Sequence, residues 1–151
     1  MTRERLPDTR TSITRKFRLP RQARAQHCPA CGHRWEDAEG PLKVWAIVGL
    51  YPDGRPGELF LPAADRVGST VHGLLDAAAM GLSVALQHGV PLGIVVAKWR
   101  STRFGPAGLT GDPEFPIATS ILDVVAQWIW AKFPPQEETG CRSTRARAAR
   151  R

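Results

Sequence analysis

The sequence lacks several features that would assign it to a broad class of proteins. No apolar run approaches the ~18 residues that a membrane-spanning helix needs. The N-terminal residues carry charges with no apolar segment behind them, so they predict no secretory signal. The chain has three cysteines, which are too few for a disulfide framework and fit a reducing compartment. These absences favour a cytoplasmic protein that makes no membrane contact.

Acidic residues are scarce at one end of the chain and absent from the other. In residues 1–26, eight Lys and Arg accompany two acids, for a net charge of +6, and residues 141–151 carry five Arg and no acid, for +5. The rest of the chain has a net charge of −4, which leaves a mildly acidic domain between two basic tails, 1–11 and 134–151. Such tails either bind a polyanion such as nucleic acid through counterion release or serve as solubilising, disordered segments.

Signatures of common catalytic sites are also missing. The sequence shows no Ser/His/Asp or Cys/His arrangement for nucleophilic catalysis and no Walker-type lysine. Two stretches remain as candidates for an anion or nucleotide site: Gly68, Ser69 and Thr70 offer free N–H groups at a helix start, and Arg100 and Arg103 flank a short loop. The plainer alternatives are a helix N-cap and a simple connection.

The longest regular pattern that is present runs from Gly68 to Pro91 and predicts one long helix across the preceding strands. Ser69 or Thr70 is expected to cap its first turn, because a hydroxyl accepts from N–H groups without an intrahelical partner. Gly89 is expected to end it in the left-handed conformation. The residues predicted to form its buried face are Val71, Leu74, Leu75, Ala78, Leu82, Ala85 and Leu86.

A second main helix is predicted over 117–133. Its apolar residues form a stripe wider than one face, which is typical of a helix that is deeply buried or shared with a partner. We expect Val125, Trp128 and Ile129 at an interface with a second copy or a larger protein. Asp123, on the same helix, is expected to be solvated or salt-bridged.

Alternating and β-branched runs predict a three-stranded antiparallel meander at 12–19, 42–51 and 57–62. Residues 92–99 fit either a strand or a short helix. Residues 20–41 are long for a hairpin connection and indicate an inserted loop. With the two main helices on one face of the sheet, the predicted fold class is α+β.

The inserted loop carries the best candidate for a chemical site. Cys28 and Cys31 in the sequence CPACG form a knuckle in which two thiolates can hold one Zn²⁺. A second such pair is absent, so His33 is the expected third ligand, and a site completed across a dimer is one way to supply the fourth. The alternatives are a redox-active thiol pair and unreactive thiols.

Four stretches carry a resemblance to a known family. They are LPDTRTSITRKFRL, VGLYPDGRPGELFL, GSTVHGLLDAAAMGLSVALQHGVPL and TGDPEFPIATSILDVVAQWIW. In order and spacing they resemble the small TSCPD-type domain at the C-terminal end of adenosylcobalamin-dependent (class II) ribonucleotide reductases, which also occurs as a free-standing protein. The resemblance runs from Leu6 to Phe133, without the Cys-bearing insertion.

The resemblance also limits what this chain is expected to do. In that family the radical chemistry and the cobalamin site lie in a large α/β barrel, for which 151 residues leave no room. The family's terminal dithiol has no counterpart, because Cys141 stands alone. We therefore expect no cobalamin and no reductase activity from this chain alone, although it could be one part of a split enzyme.

Three functions remain as hypotheses. The first is a non-catalytic accessory or regulatory module that docks onto a larger protein or associates with itself. The second is a nucleic-acid-binding protein that uses the basic tails and a zinc knuckle. The third is a protein that sequesters a nucleotide or another anion at Gly68–Thr70 and Arg100–Arg103.

Overall fold

The computed structural model describes residues 2–21, 24–27, 30–32, 34–37, 40–64 and 69–134, with the backbone alone described at 24–27 and 34–37. In chain order the elements are β1 (Ser12–Leu19), β2 (Arg24–His27), β3 (Arg34–Asp37), β4 (Leu42–Leu50), β5 (Pro56–Phe60), β6 (Ala63–Ala64), α1 (Thr70–Gln87), α2 (Leu92–Trp99), β7 (Gly108–Leu109), β8 (Ile117–Ala118) and α3 (Ile121–Lys132). None of the described helices is long and apolar enough to cross a membrane.

The central sheet is antiparallel, with strand order β1-β4-β5 and β6 paired to β4. β1 pairs with β4 along its whole length, from Ser12 opposite Gly49 to Leu19 opposite Leu42. The prediction of an α+β fold built on a three-stranded antiparallel meander is therefore confirmed. The predicted third strand is shorter than expected, since β5 ends at Phe60 and the chain returns to β4 as β6.

One face of this sheet carries the core. Phe17 and Leu19 of β1 alternate with exposed residues and are buried against α3. The ring of Phe17 meets the ring of Trp128 edge to face, with centroids 6.1 Å apart, a favoured aromatic geometry. Val125, Trp128 and Ile129, which we expected at an interface, are buried within the chain itself. Two neighbours thus cover the wide apolar stripe of α3. The sheet covers one side of it, and α2 packs against another side.

Helix α1 lies along β5, the edge strand of the sheet. The Ser83 hydroxyl accepts a hydrogen bond from the N–H of Leu59 at 2.9 Å, and the Gln87 side-chain amide donates to the carbonyl of Gly57 at 3.2 Å. An uncovered edge strand would expose a row of unpaired backbone groups. The helix therefore protects the edge with polar side chains as well as with its apolar residues.

The helix ends follow their capping residues. Ser69 accepts a hydrogen bond from the N–H of His72 and caps α1, and Gly89 has the left-handed φ of 81°, both as predicted. Residues 92–99, for which strand and helix were both open, form α2. The last helix begins at Ile121 rather than at residue 117, because Ile117 pairs with Leu109 in the β7–β8 ribbon.

Two segments differ from the loop and the free tail that the sequence suggested. The 20–41 insertion contains an antiparallel pair, β2 with β3, so it is a hairpin and not an irregular loop. Residues 2–11 pack on the domain: the Glu4 amide donates to the Gln87 carbonyl at 2.8 Å, and the Tyr51 hydroxyl donates to the Glu4 carbonyl at 2.8 Å. The rest of the predicted C-terminal tail, 135–151, lies outside the described residues.

Candidate functional site

The clearest unpartnered feature is the side of α1 that faces away from β5 and the core. We call it the α1 outer face; its residues are Gly73, Leu74, Ala77, Met80, Gly81 and Val84. Leu74, Met80 and Val84 expose 64%, 66% and 43% of their surface. A solvent-facing helix surface normally carries charged and polar residues, so the apolar composition of this exposed face is unusual.

Leu74 corrects one detail of the predicted buried face. The contacts of Ser83 and Gln87 with β5 turn α1 about its axis, and Leu74 then points to solvent although its neighbour Leu75 is buried. The one acidic residue of α1, Asp76, is engaged by His72, whose Nδ1 lies 3.1 Å from the Asp76 carboxylate. The α1 outer face is therefore nearly free of charge.

The two halves of the predicted anion site are held by contacts of their own. The Ser69 hydroxyl serves as an N-cap, Thr70 begins the helix, and Gly68 lies outside the described residues. The Arg100 guanidinium lies over the Trp130 ring at 5.4 Å, and Arg103 is exposed. Neither half contributes to the cavity beside Arg10 and Tyr51 or to the cavity beside Arg15 and Asp112.

The Arg100–Arg103 loop is fastened by a buried carboxylate that sequence reasoning misassigned. Asp123 accepts hydrogen bonds from the N–H of Ser101 at 2.7 Å, the N–H of Thr119 at 3.0 Å and the side-chain amide of Gln127 at 2.9 Å. It is 5% exposed. Burial opposes the charge, but the bonds from Ser101 and Thr119 outweigh that opposition and hold the pKa of Asp123 below its usual range. We call this arrangement the Asp123 clasp. The carboxylate is buried, and no cation among the described residues forms an ion pair with it.

A second polar cluster lies beside the free edge of β1. The Arg15 guanidinium donates to the Asp112 carboxylate at 2.6 Å, pairs with Glu114 and lies 4.9 Å from the centre of the Phe115 ring. Burial would raise the pKa of Asp112, but the bond from Arg15 helps to hold it below its usual range. The cluster closes one wall of an open groove of about 600 Å³, whose other wall is β1 from Arg15 to Arg18. We call it the β1 groove.

The predicted metal ligands fall largely outside the described residues. Cys28 and His33 are not described, whereas Cys31 is exposed with a free thiol. In the sequence the knuckle lies between β2 and β3. Within the described part of the chain, no three His, Cys, Asp or Glu residues lie close enough to hold a metal ion.

Comparison with known proteins identifies a family and a set of relatives. The sequence model of the TSCPD domain matches residues 31–131. The chain is 44% identical to the vitamin B12-dependent ribonucleotide reductase of Rhodopirellula baltica over 131 residues, which is 87% of this chain and 11% of that protein. It is 37% identical to the protein of the same name from Streptantibioticus cattleyicolor over 89% of this chain and 19% of that protein.

The chain thus spans only about a tenth to a fifth of the length of these two curated relatives. A third relative of the same name, from Streptomyces avermitilis, is 36% identical over 89% of this chain and 12% of its own. No solved structure matches the chain. The relation to vitamin B12-dependent ribonucleotide reductases therefore rests on sequence and covers most of this chain but a small part of each relative.

Proposed function

Because the chain belongs to the TSCPD domain family, we propose that it is a non-catalytic accessory or regulatory module related to the C-terminal domain of cobalamin-dependent ribonucleotide reductases. It acts by docking the α1 outer face onto a larger protein or onto a second copy of itself. It neither turns over ribonucleotides nor binds cobalamin by itself. It works in the cytoplasm, a reducing compartment that suits the free, exposed thiol of Cys31.

The observation that carries this proposal is the exposure of Leu74, Met80 and Val84 on a single helix face. Full burial of one such side chain stabilises by ~1.5–3 kcal/mol, so covering the exposed parts of these three supplies roughly 1–2 kcal/mol each. Gly73 and Gly81 leave open space where a Cβ would stand. A partner helix can therefore approach α1 closely, since the distance between packed helices depends on the side chains at their contact.

The same magnitudes favour a large partner over a second copy. Association costs ~4–15 kcal/mol in lost translational and rotational freedom. In a symmetric dimer the six side chains of the two faces supply roughly 6–12 kcal/mol, which leaves little net affinity. A partner that surrounds the helix and contacts neighbouring surfaces would contribute the remaining area. In the relatives this region is joined to a much longer reductase chain. A reductase chain is accordingly the partner that we propose, with self-association as the weaker alternative.

The test measures binding to a vitamin B12-dependent ribonucleotide reductase from which the matching region has been removed. Full-length protein is immobilised, and binding is followed by interferometry, with sedimentation velocity in parallel to detect self-association. Met80→Lys and Val84→Lys should each weaken binding about tenfold or more, because each places a charge on the surface that must be dehydrated.

Leu109→Lys provides the matched control, since Leu109 is an equally apolar residue with 72% exposure on the β7–β8 ribbon. It should leave binding unchanged. Loss of binding in the Leu109 variant alone would move the contact surface to the ribbon and contradict our assignment. A wild-type protein that stays monomeric and binds no reductase chain would refute the docking function, and turnover of ribonucleotides by the pure chain with cobalamin would refute the non-catalytic role.

A further inference from the structure

The sheet has a second face, opposite the core, whose residues the docking function does not use. Along β1 and β4, side chains that alternate with the buried ones point away from the core. We call this surface the outer sheet face; its residues are Lys16 and Arg18 of β1, Lys43, Trp45 and Ile47 of β4, and Phe60 of β5. The strand register places Lys16 opposite Trp45 and Ile47 opposite Phe60, so these side chains form one continuous surface.

The outer sheet face is strongly cationic. Lys16, Arg18 and Lys43 are exposed, and no carboxylate in the described part of the chain pairs with any of them. Glu58, the acidic residue that β5 contributes on this side, is engaged by Arg10. The surface therefore offers three cations with no acid left to neutralise them.

The positions of two of these cations indicate that a ligand of the outer sheet face would be negatively charged. Arg18 lies directly opposite Lys43 in the β1–β4 ladder. Like charges in such a cross-strand pair destabilise a sheet, and the sequence keeps this pair at the open end of the face, away from Glu58. An anion seated between the two side chains would convert the repulsion into two favourable contacts. The β1 groove opens beside them, and its acids, Asp112 and Glu114, are already engaged by Arg15.

The aromatic residues indicate that the anionic ligand also carries flat rings that can stack on them. Phe60 is 48% exposed, and the Trp45 ring is half-buried with the Lys16 ammonium 4.9 Å from its centre. Phe60 lies opposite Ile47, and Trp45 is two residues along β4 from Ile47. Trp45 and Phe60 are therefore diagonal neighbours on the same face of the sheet, ~7–8 Å apart. Exposed aromatic rings bordered by Lys and Arg on a sheet are the arrangement by which proteins stack unpaired bases and hold their phosphates.

We propose that the outer sheet face binds single-stranded nucleic acid. Phe60 provides a stacking surface for one base, and Trp45 provides a second when the Lys16 ammonium moves from its ring to a phosphate. Arg18 and Lys43 contact the phosphates that follow. The basic residues of 141–151 add long-range attraction for the same polyanion. The site lies on the sheet and the α1 outer face on a helix that packs beside β5, so nucleic-acid binding and protein docking can be tested separately.

The experiment uses the full chain and fluorescein-labelled oligo(dT) and oligo(U) of about twelve nucleotides, a length within the range that one small domain binds. Anisotropy is measured from about 50 to about 200 mM KCl. Trp45→Ala and Phe60→Ala should each weaken binding about tenfold, the usual effect of losing one stacked base. Trp45→Phe should retain most of the affinity because it keeps a ring.

A triple variant, Lys16→Gln with Arg18→Gln and Lys43→Gln, should lower the slope of log affinity against log salt by about two, since each phosphate contact on a single strand contributes ~0.7. The matched control replaces three exposed cations elsewhere: Arg55, Lys98 and Lys132. It removes the same charge and should leave the slope nearly unchanged. Circular dichroism of each variant verifies that the fold is retained, and Phe60→Ala, at an exposed site, serves if Trp45→Ala unfolds.

Several results would overturn the proposal. If the control triple variant lost as much affinity as the test variant, binding would depend on net charge and not on the outer sheet face. Equal affinity for a duplex of the same length would exclude base stacking. Loss of binding only when the five arginines of 141–151 are changed to glutamine would assign it to the tail. Binding to phosphatidylserine vesicles without binding to the oligonucleotides would make the surface a lipid contact, and no binding at about 50 mM KCl, where such contacts are strong, would dismiss it altogether.

Discussion

Replacement of Asp123 by alanine should destabilise the protein more than most single substitutions, although Asp123 sits on a helix with no ion pair. Its carboxylate accepts hydrogen bonds from the backbone amides of Ser101 and Thr119 and from Gln127. Ser101 has a φ of 63°, a conformation that a residue with a side chain adopts rarely. The Asp123 clasp therefore holds both a strained turn and the start of α3.

The magnitude follows from the donors that would be left without an acceptor. A hydrogen bond to a charged group contributes ~1.5–3 kcal/mol, and Asp123→Ala removes the charged acceptor of two part-buried backbone amides and one side-chain amide. Gln127 can rotate to water, which leaves the amides of Ser101 and Thr119. We expect the free energy of unfolding to fall by about 2–4 kcal/mol, which corresponds to a melting temperature lower by roughly 6–12 °C in a domain of this size. Asp123→Asn keeps the shape and one acceptor, so its loss should be smaller.

The same carboxylate also determines how the free energy of unfolding should change with pH. The pKa of Asp123 is lower in the folded chain than its usual value. The carboxylate therefore contributes stability that is complete above the unfolded-state pKa of ~4 and is lost as the pH falls through the folded pKa. The difference in unfolding free energy between wild type and Asp123→Asn should be constant from pH 7 to about pH 5 and should shrink below about pH 4.

Urea unfolding followed by tryptophan fluorescence at a series of pH values measures both quantities. Asp76→Asn is the matched control, because Asp76 is a helical aspartate with an exposed side chain and should change stability by less than ~0.5 kcal/mol. If Asp123→Ala cost no more than this control, the hydrogen bonds of the Asp123 clasp would not stabilise the fold. A wild-type-to-Asn difference that stayed the same at acid pH would show that the charge is not involved.

Three further predictions concern the edge strand, the N-terminal segment and the metal. Ser83→Ala should lower the free energy of unfolding by about 1–2 kcal/mol in urea titrations, because the amide of Leu59 loses its acceptor. Gly57→Ala should expose the N-terminal segment to proteolysis near Leu6, since a Cβ at position 57 would stand 2.9 Å from the Leu6 Cδ1. Protein purified without chelator should contain about one zinc per chain by mass spectrometry, because the knuckle at 28–32 presents two thiolates.

Each of these predictions has an internal control. Gly81→Ala, where a Cβ would meet no atom within 4 Å, should stabilise α1 slightly, so destabilisation by both glycine substitutions would reject the steric argument. Ser12→Ala at the exposed start of β1 should be neutral. Cys141→Ser should leave the zinc content unchanged while Cys28→Ser removes it. Zinc-free protein with two rapidly reactive thiols would instead favour the redox alternative.

Helices and strands could be predicted from the sequence where the apolar residues followed a single period, either that of a helix or that of a strand. The alternation of apolar and polar residues along 12–19 predicted β1, and Ser69 and Gly89 marked the ends of α1 by their chemistry. β4 was predicted as a strand because its residues are apolar and β-branched, but its apolar residues on both parities suggested that both faces are covered, whereas Lys43 is exposed. The hairpin within 20–41 was missed because its strands are short and polar. The start of α3 was placed early because Ile117 continues the helical spacing, while its backbone pairs with Leu109.

Exposed and buried surfaces were harder to predict. The spacing of apolar residues distinguishes the faces of a helix or strand, but it does not show which face another element of the fold covers. Leu74 and Leu75 both fit an apolar stripe, and only the contacts of Ser83 and Gln87 with β5 decide that Leu74 is exposed. Asp123 resembled a solvated carboxylate because its partners are backbone amides, which no side-chain pattern records. A signal was nevertheless available, since Ser120 and Asp123 together match the pattern of a capped helix start.

The two exposed surfaces differ in charge, and this difference distinguishes the two partners that we propose. Burying an unpaired charge costs far more than burying an apolar side chain, so a surface that must lose its water against protein is expected to be free of charge, as the α1 outer face is. A surface that meets a polyanion exchanges water and counterions for phosphates, so it gains from cations that have no carboxylate beside them. The outer sheet face meets that condition at Arg18 and Lys43. Replacing Lys43 by glutamine should stabilise the free protein, because it removes the like charge opposite Arg18, and should weaken binding to single-stranded nucleic acid. Stabilisation without any loss of binding would contradict the proposal.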